Sequence, residues 1–276
     1  MSATTATAAT RLDRTSGIDR GSTGGDLGRL AVRALRREGR RLDALFVNLA
    51  LPVGIMVVFV YVFGGAITTG SSGLSYIDFV VPAVLLLSAG YGAALTAANV
   101  AADMNGGIID RLRTLPISSW VLPTSHVIAS VVRNVVTAAL ALAAAVALGF
   151  RPDASVLDWA LVLALIVGYV LAISAIGVVW GLFVRSIQAA EAFSFIVLFL
   201  PYLSDGFVPA ASMPSLLRGF AEHQPITPLV ETGRALLLDQ PIGNAGWIAA
   251  AWLAVAVVVS IPTAAVLFRR RTTMGA

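Results

Sequence analysis

The sequence predicts an all-α integral membrane protein of six transmembrane helices, and three observations carry that prediction. Of 276 residues, 58% are hydrophobic and only 12% charged, with a mean hydropathy of +0.86; soluble domains carry about 25% charged residues. Six apolar runs are each long enough to cross a hydrocarbon core of roughly 30 Å. Arg residues gather on one alternating set of the segments between those runs, the pattern of a multi-pass protein with a positive inside.

Composition also excludes chemistry. There is no Cys, which removes disulfides, thiolate metal sites and cysteine nucleophiles. His126 and His223 are the only imidazoles and lie far apart in sequence, so a His-based metal site or triad is not expected. All nineteen basic residues are Arg. Without Lys there is no phosphate loop of the G-x-x-x-x-G-K-[ST] type and no Schiff-base lysine, so any ATP used must be bound by another chain. The net charge of +4 is accounted for by Arg at membrane flanks and does not point to nucleic acid.

Residues 1–25 are Ala, Thr, Ser and Gly with scattered charge, without the apolar core of a signal peptide; they read as a disordered cytoplasmic tail. From Asp26 to Leu45, Leu27, Leu30, Ala31, Ala34, Leu35 and Leu42 recur at helical spacing, while Arg29, Arg33, Arg36, Arg37, Arg40 and Arg41 cover the remaining surface. A basic amphipathic helix running directly into a span belongs in the interface beside anionic headgroups, rather than free in solvent. Residues 26–270 are expected to form a single transmembrane domain, followed by a short cytoplasmic tail at 271–276.

The expected spans are 46–67, 79–102, 124–149, 159–184, 189–208 and 247–268. Asn48 and Pro52 sit in the first turns of the first, where a polar group and a kink are best tolerated. The third run carries His126, Arg133 and Asn134 in its first third, which places its lipid-embedded part after them. The fifth is interrupted by Pro201 and carries Glu191 near its start. Between spans five and six, Leu216, Leu217 and Phe220 form one apolar helical face, and Leu229–Leu238 reads as a second short helix with Glu231 and Arg234 at i,i+3. Fifteen Arg fall on the N-terminal, 103–123, 185–188 and C-terminal segments, against three, Arg151, Arg218 and Arg234, on the opposite loops. Both termini and the 103–123 segment are therefore expected in the cytoplasm, with 205–244 outside.

Enzymatic and ion-coupled readings find little. Asp205, Glu222, His223, Glu231 and Asp239 lie on the outer stretch without a nucleophile or metal spacing, and read as polar residues of a membrane-surface loop. No ionisable group falls at mid-bilayer by these boundaries, as a proton relay would require. The 103–123 segment, DMNGGIIDRLRTLPISSWVLP, is more informative. Gly106 and Gly107 permit a tight turn, and 108–113 can form two helical turns with Ile108, Leu112 and Leu115 on one side and Asp110 and Arg113 on another. Pro116 and Pro123 bracket a second turn. Two readings fit equally on physical grounds: a helix that docks into a groove on a soluble partner, and a simple amphipathic loop helix.

The run from Asp103 to Ser118, D-x-x-x-G-x-x-D-R-L-R-T-L-P-I-S, resembles the cytoplasmic segment of ABC transporter permeases of the type 2 exporter superfamily, and of the daunorubicin/doxorubicin-resistance permease group within it. The resemblance continues in order through Tyr76-Ile77-Asp78-Phe79-Val80-Val81-Pro82, then Gly206-Phe207-Val208-Pro209 with Met213-Pro214, and Pro225-Ile226-Thr227-Pro228 followed by Arg234-Ala235-Leu236. It departs at Asp205, which intervenes between Ser204 and Gly206 where the family has a Ser-Gly pair before the aromatic. It departs again at Gln224, before Pro225, where the family commonly has Asn.

The resemblance implies a half-channel: two permease subunits, as homodimer or heterodimer, above two ATPase subunits that hold the ATP and magnesium. It makes residues 103–118 the coupling helix, with Asp103, Gly107, Ile108, Asp110, Arg111, Leu112, Arg113, Leu115 and Pro116 the candidate contacts. Short re-entrant helices between spans five and six would close the outer mouth, through Gly206, Phe207, Pro209, Pro214, Pro225 and Arg234. The expected function is export of an amphipathic drug or lipid across a bacterial plasma membrane, by a transport subunit with no ATPase site of its own. Its rivals are an exporter of lipid-linked polysaccharide, which aromatic residues along the pore would favour, and a membrane sensor or assembly protein that transports nothing.

Overall fold

In the computed structural model, residues 42–65, 74–106 and 121–273 are described. The 26–41 part of the amphipathic helix expected at 26–45 and the 107–120 part of the expected coupling segment lie outside them. Among the described residues every regular element is helical. In chain order these are α1 (Leu42–Val58), continued by a π turn (Phe59–Phe63), α2 (Tyr76–Ala94), α3 (Thr96–Asn105), α4 (Val121–Ala147), α5 (Val156–Phe183), α6 (Ile187–Phe199), α7 (Ser215–His223), α8 (Ile226–Leu237) and α9 (Ala245–Thr273). Short 3-10 turns at Leu200–Leu203 and Ala210–Ser212 follow α6.

Among the described residues, four segments are long and apolar enough to cross a membrane: Tyr76–Asn105, His126–Ala147, Val156–Phe183 and Ala245–Arg271; Leu49–Phe63 and Ile187–Leu203 are shorter apolar helices. Helix starts fall a few residues before the apolar runs because polar caps extend them. Ser75 Oγ accepts the amide of Asp78. Ser155 and Asp158 form a reciprocal capping box, and Ser186 Oγ accepts the amide of Ala189 at 3.1 Å. Each satisfies an amide with no intrahelical partner, and such a cap contributes about 1 kcal/mol. The fifth run ends as α-helix at Phe199, earlier than expected, because Pro201 supplies no amide and the chain tightens into a 3-10 turn.

The α2–α3 rod is the axis of the bundle. Within its most apolar stretch 89% of residues are buried, against 17% for α9. α1, α4, α5, α6 and α8 all pack around it, and its Val80, Val81, Val84, Leu86 and Leu87 form the centre of the core. α9 leaves Trp247, Val255, Val258 and Val259 exposed, so it lies at the rim, packed mainly on α5 and α8. α7 likewise presents Leu216, Leu217 and Phe220 outward. The rod is interrupted at Leu95.

Candidate functional site

At one end of the rod, three carbonyl and carboxylate oxygens converge on one guanidinium. Arg234, on α8, is 8% exposed. Its Nη1 donates to Asp205 Oδ2 at 3.2 Å, its Nη2 to Asp205 O at 2.8 Å, and Nε and Nη2 both reach Phe79 O, at 3.3 and 3.2 Å. The Arg234 Cζ also lies 3.9 Å from the centre of the Phe79 ring, a cation–π geometry. Asp205 is held in turn by the Ala210 amide, which donates to its Oδ1 at 2.7 Å. The spacing of Glu231 and Arg234 suggested a pair within the helix, but the guanidinium turns to Asp205, 29 residues away. Glu231 is left with its carboxyl pushed above the ordinary 4.5, by burial first and by the nearby Asp205 second, against the lowering effect of Arg234.

Pro82, in the second turn of α2, offers no amide to the carbonyl of Asp78, and the adjacent Phe79 carbonyl is the one Arg234 engages. Gly206 is required beside this node, because a Cβ there would stand 2.5 Å from Ala83 Cβ. Phe207 is 1% exposed; its carbonyl accepts Tyr76 Oη at 2.9 Å, and its ring stacks on Tyr202 at 4.6 Å and edges Phe59 at 5.1 Å. Pro209 starts the 3-10 turn by accepting the amide of Ser212 at 2.9 Å. Pro214 and Pro225 occupy the N-cap positions of α7 and α8. The residues expected at the outer mouth thus divide in two. Gly206, Phe207 and Arg234 converge, while Pro209, Pro214 and Pro225 shape the chain between them.

Halfway along, a polar layer crosses the core. Arg133 is near the midpoint of α4 as a whole and toward the start of its apolar stretch His126–Ala147; its Nη2 donates to Gly92 O at 3.0 Å. Asn134 is fully buried and fills the space where Gly92 lacks a side chain: a Cβ there would lie 1.8 Å from Asn134 Oδ1. Asn134 Nδ2 donates to Ser130 O at 2.7 Å, and Ser174 Oγ to Ser130 Oγ at 2.9 Å, tying α4 to α5. The rod breaks at Leu95, one turn beyond the carbonyl that Arg133 engages, a recognised cause of helix kinks.

At the other end, Asp103 Oδ2 meets His126 Nε2 at 2.5 Å, joining the end of α3 to the start of α4 across the 107–120 segment. Asn105 Nδ2 donates to Arg185 O at 3.2 Å. Arg271, in the last turn of α9, donates to the carbonyls of Phe183 and Val184. The α5–α6 connector is thereby held from both sides. Of the residues expected to couple to a partner, Asp103 alone is described, and it occupies this bracket. Gly107, Ile108, Asp110, Arg111, Leu112, Arg113, Leu115 and Pro116 lie outside the described residues, as do Arg29, Arg33, Arg36, Arg37 and Arg40.

Sequence reasoning missed Phe79 as a ligand of Arg234, and it missed the pairs of His126 with Asp103 and of Asn134 with Gly92. Polar residues inside apolar runs are the signal that finds the last two, since each must obtain a partner.

Apolar helices of this length and packing define a multi-pass membrane protein. The sequence model of the ABC-2 type transporter family matches residues 26–238, and the chain belongs to that family, as the permease component of an ABC-2 type exporter. A protein of Mycobacterium tuberculosis (strain CDC 1551 / Oshkosh) named "Probable doxorubicin resistance ABC transporter permease protein" is 27% identical over 248 residues, 87% of each chain. A "Daunorubicin resistance ABC transporter permease protein" of Streptomyces coeruleorubidus is 26% identical over 188 residues, 68% of this chain and 66% of that one. Members of the family are transport subunits that partner with a separate ABC ATPase subunit.

Proposed function

We propose that this chain is the membrane half of an ATP-driven exporter of an amphipathic drug or lipid in a bacterial plasma membrane. It pairs with a second permease subunit, crosses the membrane six times with both termini cytoplasmic, and takes its energy from an ATPase docked on residues 103–118. The observation that carries this reading is the rod Tyr76–Asn105. Its 30 residues span about 45 Å at 1.5 Å per residue. One end carries Asp103, at the root of the coupling segment; the other carries Phe79, gripped by Arg234. A push on 107–120 is delivered through Asp103–His126 to α3 and α4 together, and the rod conveys it to the opposite mouth. The Arg bias of fifteen against three supports the orientation, and the names of the relatives support a drug as cargo.

ATP closure of the partner would press on Ile108–Pro116, shift the second and third spans and loosen the Arg234 closure, opening a path between two permease halves. The test is to purify the chain with its ATPase and to measure complex formation and substrate-stimulated ATP turnover after Asp110→Ala and Arg111→Ala. A several-fold loss of stimulation is expected. Unchanged assembly and unchanged stimulation would remove the coupling role from this segment.

A further inference from the structure

Two cavities meet at Trp252. The first, of about 480 Å³, opens at the Arg234 end and is lined by Asp205, Glu222, His223, Gln224 and Glu231 among others. The second, of about 380 Å³, lies between α5, α6, α8 and α9 and is almost wholly apolar, with Ile173, Phe193, Leu229 and Ala256 in its walls. Trp252 of α9 lines both, and the α7–α8 junction passes from one to the other: Gln224 faces the polar cavity and Pro225 the apolar one. Each volume falls in the range of small-molecule sites, about 300–1,000 Å³.

The polar cavity has unspent negative charge. Asp205 is committed to Arg234 and the Ala210 amide, but neither Glu222 nor Glu231 has an ion-pair partner among the described residues. His223 donates Nδ1–H to Gly219 O at 2.9 Å. A second observation is independent of the carboxylates. Gln224 is 5% exposed, and its Oε1 is buried without a hydrogen-bond partner among the described residues, while Nε2 donates to Leu200 O at 3.3 Å. An orphaned buried acceptor costs about 1–3 kcal/mol, and a ligand N–H would satisfy it.

We infer that the two cavities form one bipartite site for a cationic amphiphile, with the charged head between Glu222, Glu231 and Gln224 and the apolar body beneath Trp252, between α5, α6 and α9. An anionic lipid is disfavoured by the two carboxylates, and a purely apolar ligand would leave Gln224 and the carboxylates unanswered. The inference rests on the exporter reading for its place in transport, and names the chemical class of the cargo.

The probes are tetraphenylphosphonium and its anionic counterpart of matching size, tetraphenylborate. Equilibrium dialysis is run against the full-length chain in zwitterionic-lipid nanodiscs, with empty nanodiscs subtracted. Wild type is expected to bind the phosphonium at least tenfold more tightly than the borate. Glu222→Gln with Glu231→Gln should remove that preference, and Ala256→Phe, which fills the apolar part, should weaken both probes. Gln224→Leu should weaken dodecylammonium, whose N–H can reach Oε1, several-fold while leaving the phosphonium, which has no N–H, unchanged, and thermal unfolding of each variant distinguishes lost binding from lost folding. Equal binding of the two ions, no binding by wild type, or a preference that survives the double Gln variant in a folded protein overturns the inference. ATP turnover by the complex with its ATPase, stimulated by a neutral amphiphile, is measured in parallel. Stimulation without phosphonium binding sinks the site and leaves the exporter reading standing; binding without any ATPase coupling does the reverse.

Discussion

The two ends of the Tyr76–Asn105 rod are fastened by different physics. At the Arg234 end a single desolvated guanidinium collects one carboxylate, two backbone carbonyls and an aromatic face. At the Asp103 end the contacts are several, separate and wetter: His126 and Asp103 retain 25% and 21% of their side-chain exposure, and Asn105 and Arg271 hold a connector by its carbonyls. The difference lies in the cations: Arg234 keeps 10% of its side-chain exposure against 25% for His126. A more desolvated charge is more costly to leave without its partner, whereas a pair closer to solvent approaches the worth of surface pairs, about 0–1 kcal/mol. One end is an all-or-none latch and the other a set of adjustable ties. That asymmetry suits a rod pushed at its wet end and released at its dry one.

Breaking the latch is expected to have the largest effect. Arg234→Met leaves the part-buried Asp205 without its cation and the Phe79 carbonyl without its donor, and should cost about 3 kcal/mol, read by denaturant unfolding of the purified chain. Arg234→Lys should recover only part of this, because an ammonium cannot fork between Asp205 and the Phe79 carbonyl. A stability unchanged by Arg234→Met would erase the distinction between the ends.

Crowding the latch comes second. Gly206→Ala should cost about 1–3 kcal/mol, since its Cβ would meet that of Ala83. Adding Ala83→Gly should return most of that loss, a suppression measurable in the same unfolding assay.

The wet end should separate stability from coupling. Asp103→Asn is expected to cost about 0.2–1 kcal/mol yet to lower substrate-stimulated ATP turnover several-fold. A large fall in stability would make this end a latch too.

The smallest effect concerns Glu231. Its carboxyl is raised in the folded chain, so the folded state holds the proton more firmly than the unfolded one. The contribution of this group to stability is therefore fully present below the ordinary carboxylate range and is lost as pH rises through the raised value. Glu231→Gln should flatten that slope, checked by unfolding midpoints across the acid range.

How much of this was legible in the sequence differs along the rod. The apolar runs located every long helix among the described residues, because twenty or so uncharged residues leave few alternatives. Their boundaries moved by a few residues where Ser75, Ser155 and Ser186 cap the helices or Pro201 ends one, which are local effects on the amides. Gly206, Phe207 and Arg234 were found by motif, and they do converge. The partners of Arg234 were not legible: helical spacing favours Glu231, and only the fold brings in Asp205 and a backbone carbonyl of Phe79. A carbonyl leaves no mark in a sequence. The fit of Asn134 into Gly92 is hidden for the same reason, since neither residue signals the other across more than forty positions.

The π turn at Phe59–Phe63 carries a consequence for the register of α1. Such a turn holds one residue more than the α-helix would, so everything before it is rotated by about 100° from the α-helical phase. That rotation presents Phe59 to Phe207 and Tyr202 and leaves Tyr61 and Val62 outside. A single-residue deletion here is thus a change of phase more than a change of length. It would shorten the helix by one step, yet turn a face of Leu42–Val58 about 100° round from the present one toward the core, and a matching one-residue insertion a turn earlier would turn it back.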